Sequence, residues 1–96
     1  MTDLEGWRKK IDAIDRELIR LLNERARCAV EVGHIKQQNH EPAWQPEREM
    51  EILRNAVESN PGPLDGAAIR RLFERIIDEA RALERRAMRD REGSAR

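Results

Sequence analysis

The chain has 96 residues, of which 40% are charged and 3% aromatic, and its formal net charge is zero. This length suits one domain, and the composition lacks the β-branched and aromatic bulk of a compact sheet protein. General nucleic-acid binding is disfavoured because it needs a basic excess. A chain this short and charged has difficulty burying enough apolar surface alone, so we expect oligomerisation.

The sequence contains no pattern typical of disulfide-bonded, membrane-spanning, metal-binding or cofactor-binding proteins. Cys28 is the only cysteine, the N-terminal residues MTDLEGWRKK are polar, and no apolar run approaches the length of a membrane span. These features predict a cytoplasmic protein without a membrane segment. Metal-ligand spacings, Gly-rich phosphate loops and nucleophile motifs are missing, which predicts a protein without a metal or cofactor.

The first predicted helix opens with Thr2-x-x-Glu5, a capping-box pattern, and ends near Gln38. At 1.5 Å per residue its length would be roughly 50 Å. Its apolar residues recur at alternating spacings of three and four for more than four heptads, which is typical of a helix packed along its whole length. These residues are Leu4, Trp7, Ile11, Ile14, Leu18, Leu21, Leu22, Cys28, Ala29, Val32 and Ile35.

A loop over residues 39–45, with Pro42 as a helix breaker, precedes a second and shorter helix. Pro46 suits the first position of that helix because its missing N–H would have no partner there. The helix is expected to stop near Ser59, where the run Asn60-Pro61-Gly62-Pro63 is a strong break.

A third helix is predicted to follow Leu64, with Asp65 as its N-cap. The predicted fold is all-α, with a long, a short and a long helix forming one domain over residues 1–90. Residues 91–96 are expected to form a disordered tail. One side of the third helix is apolar, and its residues are Ile69, Leu72, Phe73, Ile76, Ile77, Ala80, Leu83 and Ala87.

The apolar stripe of the first helix contains two cations. Arg25 occupies the heptad position that holds Leu4, Ile11 and Leu18 elsewhere in the helix. Lys36 lies about 20° from Arg25 around the helix and roughly 16 Å further along it. Both side chains should therefore point toward the buried side, where they could enclose a small anion.

The other two helices carry charges in comparable places. Glu84 falls between the positions of Ile77 and Ala80 on the third helix, and Arg48 and Glu49 adjoin the apolar face of the second. A buried ion-pair network that only fixes helix register is one interpretation. Three cations against two carboxylates also leave room for an external anion, which favours a ligand site.

Arg8 lies at the edge of the same stripe, 17 residues before Arg25. That separation is roughly 25 Å along a straight helix, too far for both to hold one small molecule in the same chain. Arg8 is therefore either an ordinary surface residue or a residue that reaches the site of a second chain packed antiparallel to the first.

These residues fall within a longer resemblance that covers about residues 4–87. The run W-R-K-K-I-D-A-I-D-R-E-L-I-R-L-L-N-E-R-A is followed in order by V-G-H-I-K, P-E-R-E, N-P-G-P-L, L-F-E-R-I-I and A-L-E. This order and spacing resemble the AroQ class of chorismate mutases. The chain is most similar to the mutase domain at the N-terminus of bifunctional prephenate dehydratases.

The resemblance implies an intertwined, domain-swapped homodimer whose two sites each use both chains and convert chorismate to prephenate without a cofactor. Gln45, Ala80 and Glu84 stand where some members have Asp, a small polar residue and an amide. An isochorismate pyruvate lyase of the same fold and a non-catalytic helical dimer or regulatory module remain alternatives. The implied catalytic residues are Lys36 and Glu84, and the implied substrate-binding residues are Arg8 (from the partner chain), Arg25, Gln45, Arg48, Glu49 and Ala80.

Overall fold

The computed structural model describes residues 3–94, and these residues form three α-helices and no strand. The helices are α1 (Leu4–Gln38), α2 (Pro46–Glu58) and α3 (Gly66–Ser94). The prediction of an all-helical, long–short–long chain is confirmed. The chain is elongated, with extents of 61 × 28 × 15 Å, because α1 alone runs for 35 residues.

The start of α1 differs by one residue from the predicted capping box. Asp3 is the N-cap, and its Oδ1 accepts a hydrogen bond of 2.8 Å from the backbone N–H of Gly6. The carboxylate also suits the positive end of the helix dipole. Thr2, the residue expected to cap the helix, lies outside the described residues.

The turn between α2 and α3 is held by side-chain hydrogen bonds. Asn60 Nδ2 donates to the Leu64 carbonyl at 2.6 Å, and Asn60 Oδ1 accepts from the Gly62 N–H at 3.0 Å. Gly62 has a φ of 76°, a left-handed conformation that glycine adopts without steric cost. Asp65 Oδ1 accepts from the Ala68 N–H at 2.8 Å, which satisfies a free donor at the start of α3.

The end of α3 departs from the expected tail, since the helix continues through Ser94. Arg91 gives a physical reason, because its Nη2 donates to Gln37 Oε1 on α1 at 3.2 Å. Residues 91–94, expected to be disordered, are therefore helical. Residues 95 and 96 lie outside the described part of the chain.

Packing is concentrated on α3, which lies against both α1 and α2. The buried apolar side chains within the described residues are Leu53 on α2 and Ile77 on α3, and the buried residue of α1 is Gly33. All side chains of residues 4–24 are exposed in this single chain. The helices therefore pack together at one end of the molecule.

Within residues 3–94, no helix has the length and apolarity needed to cross a membrane. The same residues contain no cluster of His, Cys, Asp or Glu with the arrangement of a metal site.

Candidate active site

The packed end of the molecule contains a cavity of about 270 Å³. Residues of all three helices line it, together with the loop that joins α1 to α2. Apolar walls are supplied by side chains such as Val32, Ile52 and Ile77. Seven of the eight residues predicted for the site lie around this cavity: Arg25, Lys36, Gln45, Arg48, Glu49, Ala80 and Glu84.

Lys36 and Glu84 form an ion pair across the cavity wall, with 3.8 Å between Lys36 Nζ and Glu84 Oε2. The two side chains are 15% and 19% exposed, so this pair is the least solvated of the ion pairs in residues 3–94. Burial raises the pKa of Glu84 above its ordinary value, although Lys36, Arg81 and Arg25 act in the opposite direction. The neutral acid of Glu84, which is able to donate a hydrogen bond, therefore persists to a higher pH than it would for an exposed glutamate.

The Glu84 side chain packs beside a glycine of α1. Gly33 is buried, and a Cβ at this position would lie 3.4 Å from both Cγ and Oε2 of Glu84. The carboxyl group therefore rests directly on the α1 backbone. The glycine lowers helix propensity at this position, and a methyl group there would be in ordinary contact with Glu84.

Lys36 has a second partner in the loop. Its Nζ donates a hydrogen bond of 3.0 Å to the backbone carbonyl of Ala43. An ammonium carries three hydrogens, so donors remain for a molecule in the cavity. The loop over residues 39–45 thereby fixes the lysine beside Glu84.

Glu49 is paired with a residue that the sequence analysis did not single out. Arg81 Nη2 donates to Glu49 Oε2 at 2.5 Å and joins α3 to α2. Arg81 lies four residues after Ile77 and three before Glu84, so helical spacing places it on the same face of α3. That spacing is the signal in the sequence that could identify Arg81. It is a weak signal because 16 of the 19 cations are arginines, so an arginine at any one position is not distinctive.

Arg48 is placed less firmly than the other cations. It lines the cavity, but its guanidinium pairs with Glu51 one turn along α2, and its side chain is 59% exposed. An exposed pair of this kind contributes little free energy, so Arg48 can reorient toward a bound anion at small cost.

Arg8 lies outside the cavity, on the exposed N-terminal part of α1. The described chain therefore does not bring it to the other seven residues. Its assignment to the site of a second chain stays a prediction, in keeping with the roughly 25 Å that separate it from Arg25 along the helix.

A second cavity of about 170 Å³ adjoins the first. The two share four lining residues, namely Lys36, Ala43, Arg81 and Glu84. Gly33, Trp44 and Met88 contribute to its other walls, which are largely apolar. The Lys36–Glu84 pair therefore stands between two cavities.

The charge around the larger cavity favours an anionic guest. Four cationic side chains (Arg25, Lys36, Arg48 and Arg81) and two carboxylates (Glu49 and Glu84) line it, which leaves a net charge of +2 when all are ionised. Arginine forks bind carboxylates in two-point geometry, and the apolar walls suit a hydrocarbon ring. The fold and the cavity thus define a small helical protein whose cavity has the charge and the apolar walls to suit an organic anion.

The chain belongs to the chorismate mutase type II family, whose sequence model matches residues 7–85. It is 40% identical, in an alignment 86 positions long that covers 84% of the chain, to the bifunctional chorismate mutase/prephenate dehydratase of Pseudomonas aeruginosa. The corresponding protein of Aquifex aeolicus is 38% identical in an alignment 90 positions long that covers 90% of the chain. The chain spans only 24% and 25% of the lengths of these two curated relatives.

Two solved structures are similar to the fold as a whole. Chorismate mutase (form II) from Thermus thermophilus superposes with a TM-score of 0.84 at 37% identity, covering 86% of this chain and 94% of that one. Chorismate mutase from Helicobacter pylori in complex with prephenate gives 0.81 at 31% identity, covering 90% and 93%. The family and fold expected from the sequence are confirmed.

Proposed function

We propose that this chain is a chorismate mutase, an isomerase that rearranges chorismate to prephenate. The observation that carries the proposal is the convergence of Arg25, Lys36 and Glu84 on one apolar-walled cavity, in a chain of this family. The product is a precursor of phenylalanine and tyrosine. A cytoplasmic location is part of the same proposal, supported by the biosynthetic role of the family.

The proposed reaction is an intramolecular rearrangement, in which one C–O bond breaks while one C–C bond forms. It needs no nucleophile, and the protein's task is to hold a flexible dianion in a compact, chair-like conformation. Holding the reacting atoms in the right geometry lowers the activation barrier, because the entropy cost of reaching that geometry has already been met when the substrate binds. The shape of the cavity and its charged rim serve this purpose.

Two carboxylates on the substrate require two clamps. Arg25 supplies one from within the chain, and the partner subunit's Arg8 is proposed to supply the other. Arg48 would help to position the substrate and the loop, and Glu49 would accept a hydrogen bond from the substrate hydroxyl. Gln45 and Ala80 line the cavity and limit the room for the bound molecule.

The breaking C–O bond leaves negative charge on the ether oxygen in the transition state. Lys36 Nζ and the neutral acid of Glu84 are proposed to donate hydrogen bonds to this oxygen. Donors fixed in place before the reaction stabilise charge as it develops, without the reorganisation that water would need. The burial that raises the pKa of Glu84 supports its role as a donor.

A homodimer is the second part of the proposal. The apolar stripe of α1 is uncovered over residues 4–24, where Trp7, Ile11 and Leu18 are each more than half exposed. A soluble protein rarely exposes so long an apolar stripe, and a second copy of the same stripe matches it in length and character. Antiparallel pairing of two α1 helices would also bring each Arg8 toward the other chain's cavity.

The direct test is a mutase assay on the purified chain with chorismate and, separately, with isochorismate. Efficient formation of prephenate from chorismate supports the proposal, and Arg25→Ala is the matched inactive variant. Release of pyruvate from isochorismate, without prephenate formation, would identify a lyase instead. A chain that binds neither compound would be a non-catalytic helical dimer or regulatory module.

A further inference from the structure

The ion pairs of the described residues fall into two groups. Three arginines form exposed pairs with glutamates one turn away on the same helix; these are Arg20, Arg48 and Arg75. Only two pairs join different helices, Lys36–Glu84 and Arg81–Glu49, and all four of their residues line the larger cavity. Both residues of the first pair already have a role in the proposed mechanism, whereas in the second pair only Glu49 does, and Arg81 has none.

Arg81 is well placed to control Glu49. The Nη2–Oε2 distance is 2.5 Å, and the side chains are 36% and 27% exposed, so the pair is shielded from solvent on one side. Hydrogen bonds between charged groups of this kind are shorter and stronger than neutral ones. Arg81 also lines both cavities, which leaves it part of the wall between them.

We propose that Arg81 is a positioning residue, which holds the Glu49 carboxylate from the α3 side so that this carboxylate can accept the hydroxyl hydrogen of the bound substrate. The inference rests on the proposed mutase function. Without Arg81, Glu49 has no partner on α3, and it can turn toward its neighbour Arg48 or toward Lys36. Either movement would remove the acceptor from the substrate and divert a cation as well.

The same guanidinium acts on Glu84 through space. The charged groups facing Glu84 are Lys36 and Arg25 on α1, Glu49 on α2 and Arg81 on α3 itself. Arg81 lowers the pKa of Glu84, whereas Glu49 raises it. Removing Arg81 should therefore raise the pKa of Glu84, and removing the charge of Glu49 should lower it. These shifts report how close the two charges lie to Glu84, whereas the kinetics below test whether Arg81 positions Glu49.

Kinetics of four proteins test the positioning role: the wild type, Arg81→Met, Glu49→Gln and the double variant. The hydroxyl contact is made before and during reaction, so Arg81→Met should raise KM for chorismate about tenfold with a smaller change in kcat. In the Glu49→Gln background the same change should alter KM by about twofold or less. An equal loss in both backgrounds would mean that Arg81 contacts substrate itself and would overturn the proposal.

Two further variants separate charge from geometry. Arg81→Lys keeps the charge but lacks the two-point fork, so it should recover part of the lost affinity. Arg75→Met removes an arginine from an exposed pair on the same helix and should leave KM unchanged. Circular dichroism checks that each variant is folded. If Arg81→Met unfolds the chain because Glu49 is left unpaired, the double variant, which removes both charges, still allows KM to be compared with that of Glu49→Gln.

A titration independent of turnover completes the test. Carbon-13 NMR of the Glu84 carboxyl should give a higher pKa in Arg81→Met and a lower pKa in Glu49→Gln than in the wild type. Unchanged values in both variants, with an unchanged KM, would overturn the inference. A wild-type protein that forms no prephenate would instead overturn the proposed function. The titration would still report whether Arg81 lowers the pKa of Glu84.

Discussion

The two halves of α1 carry the same apolar repeat but meet different surroundings. Over residues 4–24 every side chain is exposed, and Leu4, Ile11 and Leu18 have 64%, 55% and 51% of their surface open to solvent. Over residues 25–38 the helix packs on α3, Gly33 is buried, and Lys36 is largely covered. One half has its partner within the chain, and the other half does not.

This difference shows what an amphipathic pattern can predict and what it cannot. A repeat of apolar residues indicates that a face is covered, but it does not indicate which surface covers it. The packed half owes its cover to α3 and carries the charged cavity. The uncovered half is expected to gain its cover from a second chain, and the function of the packed half should then depend on the uncovered half.

The largest effect is expected from charges on the uncovered stripe. Ile14→Glu combined with Leu18→Glu would place carboxylates where the proposed dimer buries apolar surface, and burying unpaired charges is costly. Sedimentation should show loss of the dimer, and circular dichroism should show loss of helix. Arg16→Glu, about 200° away around the helix from both positions, is the control and should leave the dimer intact. A folded, active double variant would contradict the dimer.

Arg8→Ala and Arg25→Ala probe one arginine from each half. Each removes a proposed carboxylate clamp, so each should reduce kcat/KM by about 10³-fold. In an equimolar, fully exchanged mixture, about a quarter of the sites would retain both arginines, because half of the dimers are mixed and each has one intact site. Activity should recover toward that fraction. Persistent inactivity after exchange, followed by mass spectrometry, would remove Arg8 from the site.

Lys36→Ala tests the packed half alone. The ammonium is proposed to face charge that appears mainly in the transition state, so kcat should fall by about 10²–10³-fold with little change in KM. Lys9→Ala, on the exposed half of the same helix, is a suitable comparison and should retain the wild-type kcat. A rise in KM with an unchanged kcat would assign Lys36 to substrate binding only.

Glu84→Gln changes the response to pH more than the rate. If the neutral acid is active, kcat/KM of the wild type should be highest at acidic pH and fall as Glu84 ionises. The amide is a permanent donor of similar shape, so the variant should lose this decline and remain active near neutral pH. Identical pH profiles for the two proteins would show that Glu84 does not donate to the ether oxygen.

The raised pKa of Glu84 also predicts the sign of a stability difference. Between the ordinary pKa of 4.5 and its raised value, the folded chain binds more protons at Glu84 than the unfolded chain does. Stability from this group is therefore lost as pH rises through that interval. The melting temperature of Glu84→Gln, measured relative to that of the wild type, should therefore increase between acidic and neutral pH.

The smallest effect is expected at Gly33. A Cβ there would meet Glu84 at 3.4 Å, an ordinary contact distance, so Gly33→Ala should fit without displacing the helices. The gain in helix propensity is about 0.5–1 kcal/mol, and the melting temperature should rise slightly. A lower melting temperature would mean that the contact between α1 and Glu84 is tighter than this distance indicates.

Most of the fold could be predicted from local signals. Pro46 and Asp65 mark the starts of α2 and α3, and the break after Ser59 ends α2 where expected. The start of α1 and the end of α3 were less well predicted. Thr2 and Asp3 are both good capping residues, and the pattern alone does not choose between them. Residues 91–94 continue α3, and the contact of Arg91 with Gln37 on α1 is a tertiary feature that the local sequence pattern does not contain.

The candidate site was predictable where a charge interrupted an apolar stripe. Arg25, Lys36 and Glu84 were found in this way, because each occupies a helix position that otherwise holds apolar residues. Arg81 was missed although it shares a face with Glu84, since its importance comes from meeting Glu49 on another helix. Arg8 cannot be assigned from one chain, because its proposed partners lie on a second.

The hydrogen bond from Lys36 to the Ala43 carbonyl has an entropic consequence. A free lysine side chain carries roughly 2 kcal/mol of rotamer entropy, which is lost when a ligand immobilises it. The loop has already restricted this side chain to one region before any ligand arrives. Ligand binding therefore loses less free energy to the ordering of this lysine side chain. Shortening or loosening the loop would return that freedom to the side chain, even with every residue of the cavity unchanged.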